Sequence, residues 1–249
     1  MAKFIDSVVI VILAAGKGTR MRSDKAKVLH LLHDRPLIMH VLQTALEIAG
    51  EDIVVVVGNQ AEKVQKVVSD AANVAFAFQK EQKGTGHAVK CAMDALPDHC
   101  EHVVILSGDV PLIQASTVRS LISDHIQQKN DITVLGVYLE NPFGYGRIVT
   151  NAVGGVEKIV EETDANDRDK AIKIVNSGIY CVDKNFLAMS LSQITPNNNQ
   201  KEIYLTDVVG VARHTGRKIG LMICGDQREV MGINTLQDLM NIEAVVMEP

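Results

Sequence analysis

Tryptophan is absent from the 249-residue chain, and aromatic residues make up only 4% of it. Stacking platforms for single-stranded nucleic acid are built from aromatic rings, so the chain is poorly equipped for that role. Basic residues are outnumbered: 25 Lys and Arg stand against 30 Asp and Glu, a net charge of −5. That balance leaves little for the basic stripe that a phosphate backbone requires, and no nucleic-acid partner is expected. The four cysteines (Cys91, Cys100, Cys181 and Cys224) contain no C-x-x-C pair. They read as free thiols in a reducing compartment. His30-x-x-His33 and His99-Cys100-x-His102 have metal-like spacing but lack a second ligand pair, so no zinc is expected. Apolar runs are short, and none approaches the ~20 residues that span a bilayer. The opening stretch to Ala15 carries Lys3 and apolar residues, yet Asp6 interrupts it and a glycine-rich loop follows. It reads as a buried strand, not a secretory signal. A cytoplasmic chain without a membrane partner is expected.

What the chain does contain is alternation. Apolar, β-branched runs of strand length recur at 7–13, 53–58, 74–78, 102–106 and 132–138. Between them, residues 37–49, 61–71, 86–96 and 116–128 show apolar positions on one helical face, with Pro36 before and Gly50 after the first. The pattern predicts an α/β chain: a Rossmann-like, mostly parallel sheet with helices on both faces. After about Pro142 the texture becomes short strands and turns, at 147–150, 155–161 and 172–182, with a hairpin turn at Val153-Gly154-Gly155. Helices at 184–191 and 204–214, a strand at 218–224 and a last helix at 235–247 follow. The expected plan is one domain over 1–249. Its ligand-binding half is about 1–141, a smaller β-rich half is about 142–234, and a C-terminal helix is 235–249.

The sharpest local feature is Leu13-Ala14-Ala15-Gly16-Lys17-Gly18-Thr19-Arg20-Met21, followed by Lys27. It leaves the carboxyl end of the first strand, where open α/β sheets bind ligands. Small residues let backbone N–H groups approach an anion, and Lys17, Arg20 and Lys27 sit within eleven residues. A dinucleotide fingerprint would place a third glycine where Met21 stands and an acid at the end of the second strand, which reads Val57-Gly58-Asn59. A Walker loop finds no matching spacing. The loop is therefore a triphosphate-facing turn of another type.

Further motifs follow in order: Gln79 before Gly84-Thr85-Gly86-His87-Ala88, then Gly108-Asp109-Val110-Pro111-Leu112, Gly144-Tyr145-Gly146-Arg147-Ile148, Ile159-Val160-Glu161, Asn176-Ser177-Gly178-Ile179, Glu202-x-Tyr204-Leu205-Thr206-Asp207 and Gly232-Ile233-Asn234. This ordered set, from about residue 8 to 236, resembles the sugar-1-phosphate nucleotidyltransferases. Among them it is most similar to the N-acetylglucosamine-1-phosphate uridyltransferases. The resemblance implies Mg²⁺-dependent transfer of UMP from UTP to N-acetylglucosamine 1-phosphate, giving UDP-N-acetylglucosamine and pyrophosphate.

It also implies roles. Asp109 and Asn234 would hold the metal, with hard oxygens that suit Mg²⁺. Lys27 and Arg20 would neutralise phosphate, Lys27 and Asp109 at the reacting centre. Ala14, Ala15, Gly16, Gly84 and Thr85 would form the nucleotide floor. Gln79, with a donor and an acceptor, matches uracil O4 and N3–H. Gly146, Glu161 and Asn176 would bind the sugar, and Glu202, Tyr204 and Thr206 would border the N-acetyl group. His87 is expected to serve its turn structurally. Ala26 stands before Lys27 where proline is common, which predicts a looser loop entry; Ser177 replaces a frequent threonine.

The related bifunctional enzymes carry a β-helix acetyltransferase domain whose hexapeptide repeats are not found here. The expectation is therefore no acetyl-CoA site and a monomer or weak dimer. Rival readings are a transferase for another sugar phosphate, one for the molybdenum cofactor, and a non-catalytic UDP-sugar sensor. The motifs at 84–88 and 144–147 argue against the cofactor enzyme.

Overall fold

The computed structural model describes residues 7–247. Lys3 and Asp6, and positions 248–249 of the expected last helix, lie outside the described residues. The chain runs β1 (Val8–Ala14), two-residue strands β2 (Leu31–Leu32) and β3 (Arg35–Pro36), α1 (Leu37–Ala49), β4 (Ile53–Val57), α2 (Ala61–Ser69), β5 (Ala75–Phe78), α3 (Thr85–Ala92), β6 (His102–Ser107), α4 (Ala115–Gln128) and β7 (Ile132–Tyr138). Then come β8 (Arg147–Thr150), β9 (Val156–Val160), α5 (Asp167–Lys170), β10 (Ile174–Asp183), α6 (Lys184–Leu191), α7 (Asp207–His214), β11 (Ile219–Cys224) and α8 (Leu236–Met247).

Nine strands form one sheet in the order β11-β7-β10-β6-β1-β4-β5, with β8 added to β10 and β9 to β8. The first half behaves as read: β5, β4, β1 and β6 are mutually parallel. The second half is less separate than its sequence texture suggests. β10 inserts antiparallel between β6 and β7, pairing Tyr180 with Ile105 on one side and with Val134 on the other. Only the β8–β9 hairpin extends away from the central path.

Alternation along β1 builds the core. Val8, Ile10 and Ile12 point to the layer containing Val41 and Leu42 of α1, Val64 of α2 and Leu121 of α4. Val9 and Val11 point to the opposite layer, with Val89 of α3, Leu187 of α6 and Val208 of α7. With both faces covered, the sheet offers a ligand only its strand ends, and the glycine-rich loop and the Gly108-Asp109 turn leave from those ends.

Candidate active site

The glycine-rich loop emerges from β1, pinned by β4 and β6. Gly18 has φ +63°, and a Cβ there would lie 2.6 Å from Lys27 Cβ, so only glycine lets the loop fold against the lysine. Met21, at the end of a 3-10 turn, is fully buried with Leu32, Leu37, Ile233 and Ile242. The side chain that excludes a dinucleotide fingerprint thus ties the loop to the segment carrying Asn234. Ala26 is buried with φ −55°, the value proline would impose, so the entry to Lys27 keeps a proline-compatible path.

Four predicted residues converge. Lys27 Nζ donates to Asp109 Oδ2 and to Asn234 Oδ1, the latter at 3.1 Å. Arg20 Nη2 donates to the same Asn234 oxygen at 3.0 Å. Asp109 follows β6. Ile233 N donates to the Asp109 carbonyl at 2.9 Å, which brings residue 234 to it. Asp238 fixes the other side by accepting from Asn234 N and Thr235 N at 2.9 and 2.8 Å, a cap on α8.

Beside this cluster lies a cavity of about 460 Å³, of ligand size. Ala14, Ala15, Gly16 and Lys17 form part of its lining, opposite Gln79, Gly84 and Thr85, with Asp109 and Glu202 at its border. Gln79 is buried; its Nε2 donates to Gly84 O at 3.0 Å and lies 3.1 Å from His87 Nδ1. Gly84, at φ +107°, would put a Cβ 2.5 Å from Ile203 O. The loop at 83–86 is zipped there to 203–205: Ile203 N donates to Lys83 O, Gly86 N to Ile203 O, and Leu205 N to Thr85 Oγ1 at 3.0 Å. Thr85 thus acts as a clip as well as a wall. Gln82 and Ser107, to which sequence reasoning gave no role, also line the cavity, as does Ala88 of the motif at 84–88. Only the neighbourhood of Gln82 and Ser107 to the motifs could have signalled them.

Of the residues expected around the sugar, Glu202 lines this cavity, whereas Gly146, Glu161, Asn176, Tyr204 and Thr206 lie outside its lining. Thr206 Oγ1 donates to Glu161 Oε1 at 3.1 Å. Burial pushes the Glu161 carboxyl above its ordinary value, and the Thr206 bond opposes that shift. Gly146 O accepts from Asn176 N at 2.8 Å. The Asn176 side chain is engaged in a bulge of its own strand: Nδ2 donates to Tyr180 Oη at 2.7 Å and Oδ1 accepts from Gly178 N at 3.2 Å. Tyr204 is buried. Arg147, 2% exposed, pairs with Glu162 at 2.8 Å and donates to Tyr145 O. Glu162 also accepts from Gly144 N at 3.1 Å. The role of this clasp was not legible in the motif Gly144-Tyr145-Gly146-Arg147.

The two histidines of the second spacing face different partners. His99 meets Asp52 at the surface, whereas His102 Nδ1 lies 3.3 Å from Nε2 of buried His125, whose pKa burial pushes down to about 4. Among the described residues no group of three or more His, Cys, Asp or Glu converges, and no helix is long and apolar enough to cross a membrane.

The fold is that of nucleotidyltransferases. A putative glucose-1-phosphate thymidylyltransferase from Bacillus anthracis shares it with a TM-score of 0.77 at 17% identity, over 97% of this chain and 96% of that one. Residues 10–158 match the MobA-like NTP transferase domain family, and the chain belongs to that family. The bifunctional protein GlmU of Caldanaerobacter subterraneus subsp. tengcongensis is 43% identical over 242 residues, 97% of this chain and 52% of that protein. Its counterpart in Desulfotalea psychrophila is 40% identical over 230 residues, 92% of this chain and 68% of that protein. The resemblance read from the ordered motifs therefore holds. The chain spans about half the length of most of the curated relatives it matches.

Proposed function

We propose that the chain transfers UMP from UTP to N-acetylglucosamine 1-phosphate, releasing pyrophosphate, with Mg²⁺ as cofactor. The observation that carries this reading is the convergence of Lys27, Asp109, Asn234 and Arg20 beside the cavity holding Gln79. Such a charge set suits the handling of phosphates, and it exceeds what passive binding of a product needs.

The residues fit a hard cation. Asp109 Oδ2 and Asn234 Oδ1 already share one cationic partner, the Lys27 ammonium. Two protein oxygens, with the rest supplied by phosphates, is the usual provision for Mg²⁺. When bound there, the ion would neutralise charge on the triphosphate and the departing pyrophosphate.

The attacking group is a phosphate monoester, whose second pKa is about 6, so it is mostly ionised at neutral pH. No general base is required, and the chain needs none near Lys27. Its task is to bring two anions together. Lys27 and Arg20 offset their repulsion, and backbone N–H groups of the loop at 14–18 hold the phosphate oxygens. Gln79 orients the base. On the sugar side, Glu161 and Asn176 offer a carboxylate and an amide for hydroxyl groups, while Glu202, Tyr204 and Thr206 border the N-acetyl substituent. A cavity wall shaped for that acetyl group would separate this substrate from glucose 1-phosphate.

Pyrophosphate release, measured across nucleoside triphosphates and sugar 1-phosphates with Mg²⁺, tests the proposal. Release should be fastest with UTP and N-acetylglucosamine 1-phosphate. No release with that pair removes it, and tight UDP-sugar binding without turnover would replace it with a sensor.

A further inference from the structure

The amide of Gln79 is held by two partners of different kinds. Gly84 O is a carbonyl and can only accept. It lies 3.0 Å from the Gln79 nitrogen, so the amide must turn its NH₂ toward it. The reverse orientation would set two carbonyl oxygens 3.0 Å apart in a buried place. His87 Nδ1 lies 3.1 Å from the same nitrogen. With one amide hydrogen on Gly84, the other points at the imidazole, and Nδ1 must accept it. That assigns the ring its tautomer: the proton sits on Nε2, which faces Cys91 Sγ at 3.9 Å. Both Gln79 hydrogens are then used, so the donor expected for uracil O4 is taken up within the protein, and no hydrogen bond engages its Oε1 among the described residues.

We infer that His87 is a positioning residue: it locks the Gln79 amide with its oxygen free, so the base pocket presents an acceptor and selects a pyrimidine that carries N3–H. Uracil offers that hydrogen. Cytosine offers a lone pair at N3, which would face the Gln79 oxygen. A side-chain amide alone is two-faced and could serve either base by turning over; Gly84 and His87 remove that freedom. This inference rests on the proposed uridylyl transfer and adds the means of base choice.

The test uses His87→Ala, which removes the acceptor, and His87→Asn, whose Oδ1 reaches about where Nδ1 stands. Steady-state rates with N-acetylglucosamine 1-phosphate and either UTP or CTP are measured for both variants and the parent. In His87→Ala the UTP-over-CTP ratio of kcat/KM should narrow about tenfold, mostly through KM for UTP, with kcat for UTP within about twofold. His87→Asn should restore most of the ratio. An unchanged ratio in His87→Ala, or His87→Asn no better than His87→Ala, overturns the lock. The imidazole tautomer, read from long-range ¹⁵N–¹H NMR of the unliganded parent protein, decides it without substrate or variant. A proton on Nε2 supports the lock, and a proton on Nδ1 overturns it. If the parent protein fails to turn over UTP, the proposed function falls, while the tautomer still answers for the lock.

Discussion

The two walls of the site are made differently. The wall proposed to hold phosphate is a loop of small residues at the end of β1, a strand whose apolar side chains are buried on both faces. Its groups are backbone N–H donors and a few charges fixed by short links: Met21 into a buried cluster, Asn234 onto Asp238, Lys27 onto Asp109. The side proposed to meet the sugar hangs on the β8–β9 hairpin and on the bulge in β10, and it is built from side chains that hold one another: Arg147 to Glu162, Thr206 to Glu161, Asn176 to Tyr180. A triphosphate is the same object in every reaction of this kind, so a backbone cradle suits it. A sugar varies, and side chains can be exchanged without disturbing the sheet. The phosphate wall should therefore govern turnover, and the sugar wall should govern which acceptor is used.

The largest effect is expected at Asp109. Asp109→Asn keeps the shape and removes the charge, leaving Lys27 and Arg20 beside a neutral centre. Turnover should fall about 10²–10³-fold, the scale of losing a fixed electrostatic group at a reacting centre, with KM for UTP moving far less. Initial-rate kinetics would show it. A rise in KM with kcat intact would mean that this wall binds but does not drive the reaction.

Gln79→Ala should do the reverse. The base loses its reader and the phosphate grip remains, so KM for UTP should rise about tenfold, on the scale of one lost hydrogen bond, with little change in kcat. Equal effects on both parameters would erase the division of labour within the nucleotide side.

Arg147 sharpens the contrast with the sugar side. It is almost wholly buried and bridges Tyr145 and Glu162, flanking both Gly146 and Glu161. Arg147→Met leaves Glu162 and the Tyr145 carbonyl without their partner, and stability should drop by about 2 kcal/mol in denaturant titration, the scale of losing hydrogen bonds to a charged group. At a temperature where the variant is folded, KM for the sugar phosphate should rise while KM for UTP stays put. A matching rise for UTP would show that the two walls are one mechanical unit.

These walls were unequally legible. Strand and helix alternation gave the parallel half, because β1, β4, β5 and β6 are each short, β-branched and bounded by turns. Gly16, Gly18 and Lys27 stood out because the glycine-rich loop is local in sequence, and Asp109 because Gly108-Asp109 follows a strand. The insertion of β10 between β6 and β7 was not readable, since it depends on which edges remain open once the other strands have paired. The partner of Asn234 was also hidden: 207 residues separate it from Lys27, and no local pattern spans that distance. Asn176 was read as a sugar ligand from its motif. Its engagement with Gly178 and Tyr180 follows from the bulge at 176–179, which periodicity alone does not reveal.

The smallest effect is expected at Glu161, and its sign tests whether the sugar wall trades stability for recognition. Burial raises the Glu161 carboxyl above its ordinary value, so holding it ionised at neutral pH costs folding free energy. Below the ordinary carboxylate range the group is protonated in both the folded and the unfolded chain, and that cost vanishes. As pH climbs, the unfolded chain ionises first, and stability declines until the raised folded value is passed. Glu161→Gln removes the charge and keeps an oxygen to accept from Thr206. Its Tm should exceed that of the parent at pH 7 by about 2 °C, an amount below ~1 kcal/mol in a chain of this size, and the two should converge near pH 4. The same variant should bind N-acetylglucosamine 1-phosphate more weakly, because a neutral amide is a poorer acceptor for sugar hydroxyls than a carboxylate. A Tm gap of opposite sign at pH 7 would mean that the carboxylate is stabilised where it stands. Glu161 would then join Asp109 as a charge the fold is built to hold, and the contrast between the walls would fail at this residue.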